Sequence, residues 1–346
     1  MNNNILVLGY FGYGTTQFNG QTIKTRNVYE LLKLKSKDHA KVCYFDTYQF
    51  QHTKYILFEM ILSLIRCKKL VYIPAQNNLK YIFPLIYIIC KLRKIDILYI
   101  VIGGWLDEWL ETKRLHVSLL SKIRGIFSES NQLSLNLKKK YHFNNVVTFP
   151  NFRIHSFIPS LKNVNSDFKI VFMARISRMK GIDSVFRLAK HFSQVSGLIY
   201  PIEIHFYGPI AKCDEEYFYS QVEKFDNISY QGILPADKIY ETLTQYDLVI
   251  LPTRYFTEGF PGTILDAYIS GVPVIASRWK YATEFVDHGK SGFLFDLNKE
   301  EEFYFYVDKL YKDRSLLLEM KKNAFEKSKI YSTDSSWSII KKYLIS

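Results

Sequence analysis

No apolar run in this sequence of 346 residues is long enough to cross a bilayer. A strongly apolar, charge-free stretch, Tyr81 to Cys90, spans ten residues and contains Pro84, whereas a membrane helix needs about 20. The N-terminus, MNNNILVLGYFGYG, lacks a basic segment and a small-residue cleavage site, so no secretion signal is expected. Cysteine is scarce. Cys43, Cys67, Cys90 and Cys213 share no C-x-x-C spacing, which favours free thiols in a reducing cytosol over disulfides or zinc. His116, His142 and His155 also lack metal-ligand spacing, and no metal site is expected. The patterns G-x-x-x-x-G-K-S/T and G-x-S-x-G are absent, which argues against a P-loop NTPase and an α/β-hydrolase. Hydrophobic residues at 48% and charged residues at 23% describe a globular protein and exclude long disorder. The length suits two domains.

What is present in excess is positive charge, +13 in all, and it is unevenly placed. Residues 1–150 hold 21 Lys and Arg against 9 Asp and Glu, a balance of +12. Residues 151–346 hold 25 against 24, a balance of +1. A/T-rich codon usage would enrich lysine in both halves alike. The asymmetry therefore points to an acidic partner for the first half: an anionic membrane, a phosphate-bearing substrate or nucleic acid.

Short apolar runs alternate with longer amphipathic segments. Strands are expected at Ile5–Leu8, Val42–Phe45, Leu70–Ile73, Ile97–Ile102, Gly125–Phe127 and Val146–Phe149, then at Ile170–Met173, Ile202–Tyr207, Ile228–Tyr230, Leu248–Leu251, Val272–Ile275 and Gly292–Phe295. Helical periodicity lies between them, for example at Thr22–Leu34, Tyr55–Arg66, Ile182–Phe192 and Glu300–Lys327. Such alternation predicts an α/β protein with parallel sheets covered on both faces. It breaks once, over Phe152–Asp167, which reads as a linker. Two doubly wound, Rossmann-like domains facing a cleft are expected, 1–160 and 161–330, with a helix in 331–346 returning to the first.

Three loops at the carboxyl ends of expected strands can carry chemistry. The first holds Gly9, Gly12, Gly14 and Gly20. Its order does not match the dinucleotide fingerprint, but its glycines let backbone approach a ligand. An ordinary flexible loop is the competing reading. The second is Arg175-Ile-Ser-Arg178-Met-Lys180-Gly181. Arg175 and Lys180 can converge on a diphosphate, one as a fork and one as a point charge; a solvated basic turn is the alternative. The third is Glu258-Gly-Phe-Pro-Gly-Thr-Ile-Leu-Asp266, followed by a run ending GVPVIAS. A helix beginning near Gly262 or Thr263 would offer free amides to an anion. Glu258 in the loop and Asp266 one turn into the helix can each accept hydrogen bonds from sugar hydroxyls. Helix capping would account for Asp266 but not for Glu258 and the glycines.

Taken together, Arg175…Lys180 and Glu258-x7-Asp266 resemble the donor half of retaining glycosyltransferases of the family 4 type, which have a GT-B fold. Pro150-Asn151, Gly208-Pro209, Gln231-Gly232, Leu251-Pro252 and Gly289-x-Ser291-Gly292-Phe293-Leu294 fit the same pattern. The resemblance is specific over Ile170–Phe295 and loose in the first domain. It implies that Arg175 and Lys180 hold the donor diphosphate, that Glu258 contacts the transferred sugar, and that Asp266 contacts the ribose. Amides around Phe260, Pro261, Gly262 and Thr263 would contact sugar and phosphate, and Gly12, Gly14 and Gly208 are assigned to donor binding with them. Two departures stand out. Asp266 replaces the commoner Glu, and the first-domain His of many relatives is missing, its place reading Val101-Ile-Gly103-Gly104-Trp105. Gly103, Gly104 and Trp105 are assigned to the acceptor side. The acids Asp107, Glu108 and Glu111 that follow read either as an acceptor-orienting group or as a helix N-terminus. No D-x-D motif supports metal-dependent transfer.

The resulting expectation is a cytoplasmic hexosyltransferase of bacterial surface polysaccharide synthesis, making lipopolysaccharide O-antigen or capsule. It needs no cofactor, uses a UDP-sugar or GDP-sugar donor and acts on a lipid-linked glycan. Its first domain binds the acceptor and its second the donor. No nucleic acid is expected. Apolar stretches beside basic clusters, Lys54–Lys69 and Tyr81–Lys94, suit peripheral contact with the inner face of the plasma membrane; core helices with solvated basic ends are the competing reading. A GT-B sugar-nucleotide epimerase and a basic membrane- or nucleic-acid-binding adaptor are the alternative functions.

Overall fold

A computed structural model of the chain describes residues 4–15, 20–37, 39–51, 55–161, 167–194 and 202–345. Parts of the first glycine loop (16–19) and of the expected linker (162–166) lie outside the described residues. The chain divides into two compact units, Met1–Ile154 with Tyr331–Ser346, and His155–Ile330.

The first unit runs β1 (Asn4–Gly9), α1 (Gly20–Lys35), β2 (Lys41–Asp46), α2 (Ile56–Arg66), β3 (Lys69–Ile73), α3 (Gln76–Tyr81), α4 (Phe83–Arg93), β4 (Asp96–Ile100), α5 (Leu106–Trp109), α6 (Arg114–Leu120), β5 (Gly125–Ser128), α7 (Asn131–Tyr141) and β6 (Val146–Thr148). Its six strands are all parallel, in the order β2-β1-β3-β4-β5-β6. The strands are apolar on both faces because helices cover both. On one face α1 buries Val28, Leu31 and Leu32, spaced i, i+3, i+4, against Val7, Val71, Ile73 and Leu98. On the other, Tyr72 stacks on Phe83 of α4 at 5.9 Å.

The second unit runs β7 (Phe168–Met173), α8 (Ile182–Gln194), β8 (Ile202–Tyr207), α9 (Glu215–Val222), β9 (Ile228–Tyr230), α10 (Ile239–Leu243), β10 (Leu248–Leu251), α11 (Gly262–Ile269), β11 (Val274–Ser277), α12 (Ala282–Phe285), β12 (Gly292–Phe295), α13 (Glu300–Lys312) and α14 (Arg314–Ser328). Its sheet is again six-stranded and parallel, in the order β12-β11-β10-β7-β8-β9. The α8 residues Ile182, Val185, Phe186, Ala189 and Phe192 face its core, a period of 3.6. The single helix expected over Glu300–Lys327 is two. Asp313 leaves the helical region (φ −103, ψ 86) and its side chain caps the second helix by accepting from the Leu316 amide at 2.9 Å.

The final helix, α15 (Thr333–Leu344), starts at Ser332, whose hydroxyl accepts from the Ser335 amide. It belongs to the first unit. Ile340 and Leu344 join the cluster of Val28 and Leu31, and Tyr343 meets the Phe127 ring edge-on at 5.1 Å.

Candidate active site

The strand order of the second unit reverses between β7 and β10. The chain leaves β7 toward β8 and β9 and returns through β10 toward β11 and β12. In open parallel sheets ligands sit beyond the carboxyl ends of strands at such a switch point. The two loops that leave β7 and β10 are the ones singled out by sequence: Ala174–Gly181, and Pro252–Pro261 leading into α11.

The two loops are tied together closely. Lys180 Nζ donates to both oxygens of Glu258, at 2.8 and 2.7 Å. Both side chains are about four-fifths buried, with 19% and 18% exposure. The Thr253 hydroxyl donates to Glu258 Oε2 at 3.2 Å, and the Thr253 carbonyl accepts from Ser277 Oγ at the end of β11. Tyr255 places its ring 5.1 Å from the ammonium. Lys180 has three N–H groups, and two of them are engaged by Glu258.

Backbone geometry explains why glycine stands at Gly181. Its φ is +89, and a Cβ there would lie 1.8 Å from the Pro252 carbonyl oxygen. The β7 and β10 loops touch backbone to backbone, and any side chain would part them. Gly208, at the end of β8, is similar: φ is +133 and a Cβ would lie 2.1 Å from the Ala174 oxygen.

Helix α11 begins at Gly262 after Pro261 at the N-cap, with no side-chain cap. Thr263 Oγ1 donates to the Met173 carbonyl at 2.6 Å, which pins the helix start to the end of β7. The amides of Gly262 and Thr263 have no acceptor among the described residues, as expected of a first turn. Phe260 stacks on Phe285 at 4.2 Å and is buried. Asp266 lies one turn into α11 and is buried.

Not every residue singled out converges in the same way. Arg175 is exposed and forms no ion pair with a described residue. Arg178, beside it, stacks 3.9 Å over the Tyr217 ring and lies 3.9 Å from Asp183 and Asp214. In the first unit, Gly12 (φ +59) sits in a turn closed by the Thr15 amide. That turn is held by Asp46, which accepts from the Phe11 and Tyr13 amides, and by Arg26, which donates to the Phe11 and Gly12 carbonyls. A Cβ at Gly14 would meet the Tyr48 ring at 3.2 Å. The Gly103 amide donates to Glu129 Oε2 at 3.3 Å, Gly104 is buried, and the Trp105 indole donates to the Ile102 carbonyl. Asp107 stands in the first turn of α5 and accepts from Asn136 at 2.8 Å.

Sequence reading missed Thr253, Ser277 and, in the first unit, the pair Lys24–Glu129 at 2.6 Å. Lys24 is 1% exposed, and burial holds its pKa below the ordinary lysine range although Glu129 pulls the other way. The available signal was positional: Thr253, Ser277 and Glu129 stand at or just beyond the carboxyl ends of β10, β11 and β5.

Solved structures share this architecture. HepE of Anabaena, in complex with UDP and glucose, is 14% identical, with 99% of this chain and 100% of that chain covered at a TM-score of 0.74. Sucrose-phosphate synthase of Thermosynechococcus elongatus is 13% identical over 99% of this chain and 98% of that one, also at 0.74. TarM of S. aureus, in complex with fondaparinux, alpha-GlcNAc-glycerol and UDP, is 17% identical over 80% of this chain but 55% of its own, at 0.66. Among curated proteins no relative matches the sequence. The class is the GT-B fold, two parallel six-stranded α/β sheets. Residues 154–327 match the model of the family described as glycosyl transferases group 1. The chain belongs to that family, which makes it a glycosyltransferase.

Proposed function

We propose that the protein is a retaining hexosyltransferase of the family 4 type. It takes a sugar from a UDP- or GDP-linked donor and places it on a lipid-linked glycan during synthesis of a bacterial O-antigen or capsule. The observation that carries this reading is the Lys180–Glu258 pair set beside the free first-turn amides of α11. A paired cation and carboxylate and first-turn amides without described acceptors stand on the loops that leave β7 and β10, the strands of the switch point, and that chemistry suits a diphosphate joined to a sugar. UDP in the structures of HepE and TarM supports the donor class.

In this reading Lys180, Arg175 and the amides of Gly262 and Thr263 bind the diphosphate. They offset the charge that grows on it as the bond from the sugar's anomeric carbon to phosphate oxygen breaks. Lys180 has one N–H left for phosphate while it holds Glu258 in place. Glu258, held at Oε2 by Thr253 as well as by Lys180, accepts from sugar hydroxyls. Asp266 serves the ribose, and Phe260 and Pro261 shape the turn; Gly12, Gly14 and Gly208 belong to the loops assigned to the donor. The acceptor oxygen bonds the anomeric carbon on the face the phosphate leaves, and its proton passes to that phosphate. No protein base is then required. Gly103, Gly104 and Trp105 border the acceptor, and an anionic membrane surface receives the first half at the cytoplasmic face.

The test is calorimetry of the full chain with UDP, GDP and ADP. One of them should bind, and Lys180→Ala should weaken it by about tenfold or more, the worth of a charge-assisted contact. Absence of binding to all three would sink the assignment.

A further inference from the structure

Helices α2 and α4 pack side by side on one face of the first sheet. Each buries one apolar stripe: Ile56, Met60 and Leu64 in α2, and Phe83, Ile86 and Cys90 in α4. Each also carries a second apolar stripe that no described residue covers. In α2 it is Phe58 and Ile65, with Leu57 beside them; in α4 it is Leu85, Ile88 and Leu92, spaced i, i+3, i+7. Phe58 is 64% exposed and Leu92 is 78% exposed. Tyr55 before α2 and Tyr81 before α4 are exposed as well. A surface helix of a globular protein is normally polar on its outer face. Two adjacent helices that break this rule together form a patch, and such patches mark interaction sites.

The charges around the patch are of one sign. From Tyr55 to Lys94 there are seven Lys and Arg and one acid, Glu59. Arg66 and Lys68 stand at the end of α2, and Lys91, Arg93 and Lys94 at the end of α4, all exposed. None of these five forms an ion pair with a described residue. Neither helix approaches the length of a membrane span, and among the described residues no helix is long and apolar enough to cross one.

We infer that the outer face of α2 and α4 is the surface by which this chain lies on an anionic lipid bilayer. The inference rests on the proposed membrane partnership of the first half and says which side chains make it. Phe58, Ile65, Ile88 and Leu92 enter the acyl boundary while Arg66, Lys68, Lys91, Arg93 and Lys94 meet the headgroups. Each half of the device alone binds weakly; apolar insertion and a polybasic rim together give stable, reversible anchoring. A second copy of the chain is the rival occupant. A two-fold interface sets one patch against itself, and here it would face a rim of cations with a rim of cations.

The experiment sediments the full-length chain with vesicles of phosphatidylcholine alone, or with equal parts of phosphatidylglycerol. The chain should pellet with the anionic vesicles and release as salt is raised. The double variant Phe58→Ser/Leu92→Ser, at exposed positions, should lose vesicle affinity about tenfold or more through lost insertion, while melting temperature and UDP binding stay unchanged. Equal pelleting with both vesicles, or an unchanged double variant, overturns the inference. A dimer in solution that the double variant dissolves also overturns it in favour of self-association. Vesicle binding without any nucleotide binding would leave this surface standing and remove the proposed UDP- or GDP-sugar donor instead.

Discussion

Among the described residues each half of the chain sets a short lysine–glutamate pair at the carboxyl ends of its strands, Lys24–Glu129 and Lys180–Glu258, and the two differ in what surrounds them. Lys24–Glu129 is sealed, with side chains 1% and 5% exposed, and Glu129 spends its second oxygen on the Gly103 amide. Lys180–Glu258 is open enough to meet solvent, lies among glycines and free amides, and leaves the lysine a spare donor. The same two functional groups at nearly the same separation therefore do different things. Where water is excluded, the pair fixes a loop, and removing one member strands charge in a place that water cannot reach. Where a ligand can enter, the pair orients both groups for something else. Burial and unspent hydrogen-bonding capacity separate the two cases; distance does not.

The sharpest way to break this contrast is Lys24→Met. Glu129 would remain buried without Lys24, although the buried Arg153 lies close enough to act on this pair, and the first unit should lose about 3 kcal/mol, the low end of the cost of halving a buried pair. Chemical denaturation measures it. The paired change Lys24→Met/Glu129→Leu should recover most of the loss, and failure to recover would show that the Gly103 contact matters more than the charge. Glu258→Gln comes next. It should shift unfolding by about 1 kcal/mol, as for a partly exposed pair, while donor turnover falls about a hundredfold or more, as on removal of a preorganised polar contact at a reacting centre. A large stability loss with normal turnover would make the two pairs alike and erase the distinction.

A smaller effect separates the second unit by pH. His205 Nδ1 lies 2.7 Å from the Tyr246 hydroxyl, and His288 Nδ1 accepts the Leu294 amide at 3.0 Å. Burial, first of all, holds both imidazoles below their ordinary value of 6.5. Below about pH 6.5 the unfolded chain binds more protons than the folded one, so stability falls as pH drops toward the folded values. Unfolding followed from pH 7 to pH 5 should show this slope, and His205→Gln/His288→Gln should flatten it.

Much of the architecture was legible because parallel strands buried on both faces leave continuous Val, Ile and Leu runs, and each run was visible in the sequence. The loops Arg175–Gly181 and Glu258–Asp266 were legible because glycines and charges directly follow such runs. Their mutual geometry was not. Nothing local says that Lys180 spends two donors on Glu258, since those residues stand 78 positions apart and meet only because β7 and β10 are neighbours. The break at Asp313 was hidden because helical periodicity continues on both sides of it. Lys24 and Glu129 give no local signal because each sits among polar residues in its own segment, and only the sheet brings them together.

The placement of α15 has a consequence for how the chain is made. Val28, Leu31, Ile340 and Leu344 share one cluster, so a unit whose strands are made before the second unit is closed by a helix made after it. Nascent chains generally fold domain by domain from the front; here the leading unit leaves the ribosome with a gap in its hydrophobic wall. A chain stopped before Tyr331 would keep the second unit's residues whole and leave the first unit permanently unfinished.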